Sequence, residues 1–164
     1  MCHMMKKLLR FKRNKPDNSM IKQFKTLTNE EREILLKAPA LVSVLASCSL
    51  NKVNKVQKAD AIKLAHLKTF TANPILREYY EEVDKLFKTQ FDSIVKAYFP
   101  FDENKRSALK YEIEQVNLII GKLENYYGET LYKSLEGYAN HVRKAAHSIF
   151  QDFIFPLPIQ GLSV

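Results

Sequence analysis

The chain has 164 residues, 46% of them hydrophobic and 27% charged, with four glycines and a formal net charge of +8. That length suits one domain, which can bury about 68–70% of its unfolded surface without disulfide or metal staples. Cys2 and Cys48 make neither a disulfide framework nor a zinc cluster, and no apolar run approaches the ~20 residues needed to span a bilayer, so a reducing, cytoplasmic setting is expected.

The first element in chain order is a basic arm. Residues 1–25 carry Lys6, Lys7, Arg10, Lys12, Arg13, Lys15, Lys22 and Lys25 against Asp17 alone, a local +7, while the rest of the chain balances 18 bases against 17 acids. The body is therefore nearly neutral and does not read as a basic nucleic-acid-binding domain. Residues 1–19 end in Asn14-Lys15-Pro16-Asp17-Asn18-Ser19, turn formers and charge with little to bury, and read as a flexible arm. The start is charged but has no apolar segment behind it, so it is not read as a secretory signal. Lys6, Lys7, Arg10, Lys12, Arg13 and Lys15 form a candidate polyanion contact, for nucleic acid or an anionic membrane. Each base near an anionic leaflet is worth about 1 kcal/mol. Phosphate contacts would be blind to sequence and sensitive to salt. A solubilising tail is the plainer reading of the same residues.

The body, residues 20–155, is expected to form a single helical domain. Thr28 and Glu31 have capping-box spacing before Ile34-Leu35-Leu36, which predicts a short helix over about 29–37 that Pro39 ends, or follows by opening the next. Residues 40–46, Ala-Leu-Val-Ser-Val-Leu-Ala, are apolar on every side. Strand and helix compete there, and alanine content favours a short, central, buried helix. A helix over about 54–71 follows, with no clean apolar face.

Asn73-Pro74 is a cap followed by a first-position proline. Leu76, Tyr80, Val83, Phe87, Phe91, Ile94 and Tyr98 then recur every three or four residues, predicting a long helix over about 74–99. Leu109, Ile113, Val116, Ile120, Leu123 and Tyr127 predict a second over about 102–127, with Gly128 as a left-handed stop. Leu131, Leu135, Tyr138, Val142, Ala145 and Ile149 predict a third over about 129–155. Short connections between long helices imply antiparallel neighbours. The fold class is therefore all-α, an antiparallel bundle of five to seven helices. Residues 156–164 continue as an extended apolar tail, expected to fold back on the bundle or fill a partner's groove.

Chemical motifs are sparse. A di-iron bundle needs Glu-x-x-His on two helices, and the chain has none; His141 and His147 are about 240° apart on a helix. The carboxylate groups Glu81-Glu82-Asp84, Asp102-Glu103 and Glu112 with Glu114 lie among lysines and read as solvated ion pairs. There is no glycine-rich phosphate loop and no Gly-x-Ser-x-Gly. No catalytic residue, metal site or cofactor is assigned.

All eight tyrosines fall between Tyr79 and Tyr138, and the adjacent pairs Tyr79-Tyr80 and Tyr126-Tyr127 each put one ring off the main stripe. Tyr79 and Tyr126 are the candidate interface rings, against the plainer reading as core-edge tyrosines with wet hydroxyls. Lys52, Lys55 and Lys58 belong to a second basic stretch, residues 50–68, with five lysines against Asp60.

Residues 40–46, through Ile62, resemble the TerB-like (tellurite-resistance) helical family. In that pattern Val53 takes an aliphatic place, Leu50 and Asn51 stand where Asp-Gly is usual, and Gln57 stands where Glu is usual. The resemblance covers about 25 residues. It implies an all-α fold and a stress-associated role; the family's acidic metal-binding cluster is absent from these positions. The leading reading of the whole chain is a non-enzymatic helical domain acting through protein–protein contacts, with an unidentified partner or a homodimer. Polyanion binding by residues 1–19 is the alternative, and a ligand pocket or enzyme site between the long helices a third.

Overall fold

The computed structural model describes residues 21–47 and 55–145, with side chains placed for 21–46 and 58–142. The arm at 1–19, Cys48, Lys52, His147 and the tail at 156–164 lie outside the described residues. Five α-helices make up the body: α1 (Asn29–Ser47), α2 (Lys55–Thr71), α3 (Arg77–Tyr98), α4 (Glu103–Ile120) and α5 (Asn125–Ala145). Single 3-10 turns at Lys22–Phe24 and Pro74–Leu76 precede α1 and α3. No strand occurs among the described residues.

The N-terminus of α1 forms as its sequence dictates. The Thr28 amide donates to Glu31 Oε2 at 2.8 Å and the Glu31 amide donates to Thr28 Oγ1 at 3.2 Å, the reciprocal capping box. Asn73 Oδ1 accepts from the Ile75 amide at 3.2 Å, and Asp102 Oδ1 accepts from the Lys105 amide at 2.7 Å to cap α4.

The expected break at Pro39 does not occur. Residues 29–47 form one continuous helix with Pro39 inside it. Proline has no N–H, so the Leu35 carbonyl loses its partner within the helix. The Tyr79 hydroxyl donates to that carbonyl instead, at 2.8 Å in a buried setting. Ser43 Oγ donates to the Pro39 carbonyl at 2.7 Å one turn later. A buried orphan carbonyl would cost about 1–3 kcal/mol, and α3 removes that cost.

α1 is the central helix. Leu35, Ala38, Ala40, Leu41 and Val44 are fully buried, as the all-round apolar sequence requires. It packs on α3, α5 and α4, while α2 packs chiefly on α3. Direction follows from paired side chains. Lys58 meets Asp92, His66 meets Asp84 at 2.9 Å, and Lys68 lies 6.0 Å from the Tyr80 ring, so α2 and α3 are antiparallel. Glu31 meets Lys122 and Lys37 meets Glu112 at 2.7 Å, so α1 and α4 are antiparallel. Tyr80 meets Ser134 at 2.7 Å and Phe87 faces Tyr138 at 6.1 Å, so α3 and α5 run the same way. Of the consecutive pairs only α2 with α3 packs extensively, while α1, apolar on every side over 40–46, gathers α3, α4 and α5 about itself.

The second correction concerns Gly128. α4 stops at Ile120, residues 121–124 make the turn, and Gly128 lies inside the first turn of α5. Glu124 fixes this start: its carboxylate accepts from the Tyr127 amide at 3.1 Å and the Tyr126 amide at 3.3 Å. A Cβ on Gly128 would sit 2.9 Å from the Ile120 carbonyl oxygen. Glycine is there for the close approach of two helix ends, not for a left-handed stop. Leu123 and Tyr127 are buried, as the apolar stripe implies, but they belong to the turn and to α5.

Candidate interaction surface

The inner faces consume most of the aromatic chemistry. Tyr79 is 0% exposed, so the expectation that it lines an interface is corrected: its hydroxyl is committed to the Leu35 carbonyl. Tyr80 bonds Ser134, and the Tyr138 hydroxyl donates to the Ala61 carbonyl at 2.6 Å. Phe24 bridges Tyr79 and Tyr127 edge to face, at 6.1 and 6.2 Å between ring centres. Burial pushes the hydroxyls of Tyr79, Tyr80, Tyr127 and Tyr138 well up from the ordinary tyrosine value.

Glu112 also departs from its expected place on a solvated face. It is half-buried, accepts from Lys37 at 2.7 Å, and accepts from the Tyr98 hydroxyl. Burial, then the bond to Glu112, pushes the Tyr98 hydroxyl up to about 12. The three side chains tie α1, α3 and α4 together. Among the described residues no group of three His, Cys, Asp or Glu side chains could hold a metal ion.

Of the lysine candidates, Lys58 is the one whose side chain lies among the described residues. Lys58 is paired with Asp92 on α3, and Lys55 lies in the first turn of α2. Lys6, Lys7, Arg10, Lys12, Arg13, Lys15 and Lys52 are outside the described residues.

Tyr126 does face solvent, 60% exposed at the start of α5. Tyr111 and Leu118 on α4 join it, 61% and 63% exposed. These two lie seven residues apart, on the side of α4 opposite its core stripe of Leu109, Ile113, Val116 and Ile120. Past the first residue of α4, the exposed positions are Asn104, Ser107, Ala108, Tyr111 and Leu118, with no charge among them. They fall within one ~100° sector of the helix. A second exposed apolar pair, Leu67 and Phe70 on α2, is interrupted by Lys63 and His66. Phe70, 72% exposed, packs edge-on against the His66 ring at 5.5 Å, and that ring is held by Asp84.

Adjacent aromatic pairs do not point to the α4 strip; its mark in the sequence is a pair of large apolar residues one heptad apart off the core stripe. No protein-family model matches the chain, and neither a curated protein nor a solved structure matches it. No helix among the described residues is long and apolar enough to cross a membrane.

Proposed function

We propose that this chain is a cytoplasmic helical interaction domain whose contact face is the outer side of α4. One observation carries the reading: an uncharged strip with two large apolar side chains in solvent, on a helix otherwise covered by the bundle. Aromatic enrichment and depletion of charge mark the cores of protein interfaces. A photoreactive phenylalanine analogue placed at 111 in the full chain tests it, with the same analogue at 88 on α3 for comparison. Defined cross-linked adducts from position 111 and none from 88 are expected. Equal cross-linking from both positions, or none from 111, would refute the reading.

Polyanion binding by residues 1–19 is a second reading, supported by six bases between Lys6 and Lys15 with no acid among them. Deleting residues 1–19 should abolish retention on heparin and on anionic vesicles. Unchanged retention would remove this reading and leave the first intact.

A further inference from the structure

We infer that the occupant of the α4 strip is a second copy of this chain, with the two α4 helices paired antiparallel about Tyr111. This rests on the reading of the strip as a contact face and names what it contacts.

The spacing selects a helix as the occupant. Asn104, Tyr111 and Leu118 are seven residues apart, with Ser107, Ala108 and Gln115 between them. That is the seam a partner helix fills at a shallow crossing angle.

Charge selects the same helix, reversed. Glu112 is turned to Lys37 and Tyr98, and Lys105 and Arg106 lie on other faces of α4, so the charges that border the strip on one flank are Lys110 and Glu114. An antiparallel pair about a two-fold axis lays that flank of one copy along the same flank of the other, and Lys110 meets Glu114 twice over by symmetry; a parallel pair does not bring the two flanks together. In that arrangement Glu114 flanks the strip on the side that faces Lys110 of the second copy.

Shape agrees with charge. With Tyr111 near the two-fold axis, Leu118 of each copy lies over the short side chains of Asn104 and Ser107 of the other. Bulk at one end of the strip meets a hollow at the other. A single helix face falls at the small end of protein interfaces, so the copies exchange freely with monomer.

The test is sedimentation equilibrium of the full chain between about 5 and 500 µM, a range that brackets a contact of this size. The wild-type mass should climb towards twice the monomer. Tyr111→Lys should remain monomeric with unchanged helical circular dichroism. Lys110→Glu alone sets Glu against Glu114 of its copy, and Glu114→Lys alone sets Lys against Lys110, so each should remain monomeric. An equimolar mixture of those two variants should recover the dimer, because both contacts become opposite in sign. A wild-type chain that stays monomeric throughout overturns the pairing, even where position 111 cross-links to another protein; that result would leave α4 as a contact face. A dimer that persists in Tyr111→Lys, or a mixture that fails to associate, also overturns it.

Discussion

α3 and α4 are helices of similar length, each with one face in the core, yet their outer faces differ. The exposed positions of α3 include Arg77, Glu78, Glu81, Lys85, Lys88, Asp92 and Lys96, while those of α4 past Glu103 carry no charge. A charged outer face is what an ordinary solvated helix shows. The contrast separates two uses of the same amphipathic element. α3 spends its selectivity inward, through Tyr79, Tyr80, Phe87 and Phe91, and leaves a solubilising exterior. α4 has a plainer interior and a distinctive exterior.

The largest expected effect lies on the inward side of α3. Tyr79→Ala removes a fully buried ring and should cost about 3–5 kcal/mol in urea unfolding. Tyr79→Phe keeps the ring and strands the Leu35 carbonyl; it should cost about 1–3 kcal/mol. A Tyr79→Phe chain as stable as wild type would show that Pro39 needs no help from α3.

Next in size is Gly128→Ala. Its methyl would press on the Ile120 carbonyl oxygen, which is backbone and cannot swing aside. A loss of about 1–3 kcal/mol is expected, although alanine is the better helix former elsewhere. No loss, or a gain, would mean that the ends of α4 and α5 are not so closely apposed.

Alkaline titration probes the inner tyrosines together. Burial holds their folded values above the ordinary tyrosine value of 10.0, so the neutral phenols stabilise the fold fully below pH 10, and that stability is lost as pH rises through the folded values. Each such tyrosine should steepen the fall in unfolding free energy by up to about 1.4 kcal/mol per pH unit above pH 10.

The smallest effects on stability belong to the outer faces. Leu118→Lys on α4 and Lys88→Ala on α3 should each stay within about 0.5 kcal/mol of wild type in thermal unfolding. The contrast between the faces then appears only in association, where Leu118→Lys should weaken self-pairing and Lys88→Ala should not. Equal effects of the two would erase the distinction between the faces.

Much of this was legible in the sequence because it is local. The Thr28–Glu31 box and the apolar stripes through Phe87, Ile113 and Leu135 depend on residues three or four apart and fall on helices, while Asn73 caps the 3-10 turn before α3 and the stripe through Ile113 leaves α4 after Ile120. What failed depends on distant chain. Pro39 reads as a helix end until the Tyr79 hydroxyl, 44 positions from Leu35, replaces the missing donor. Gly128 reads as a stop until the Ile120 carbonyl is found against it. Glu112 reads as surface charge until Lys37 and Tyr98 close over it. Tyr111 and Leu118 stand one heptad apart off the core stripe, but which side of α4 stays open is decided by what covers the rest of the helix.

The bond from Tyr79 to Leu35 also bears on the order in which the chain assembles. A peptide spanning 27–47 has a proline fault at its middle and should hold two short, fraying halves rather than one rod. Only when α3 arrives does the fault close. The central pillar of the bundle is thus completed by a neighbour, and secondary and tertiary structure should appear together in a single cooperative step.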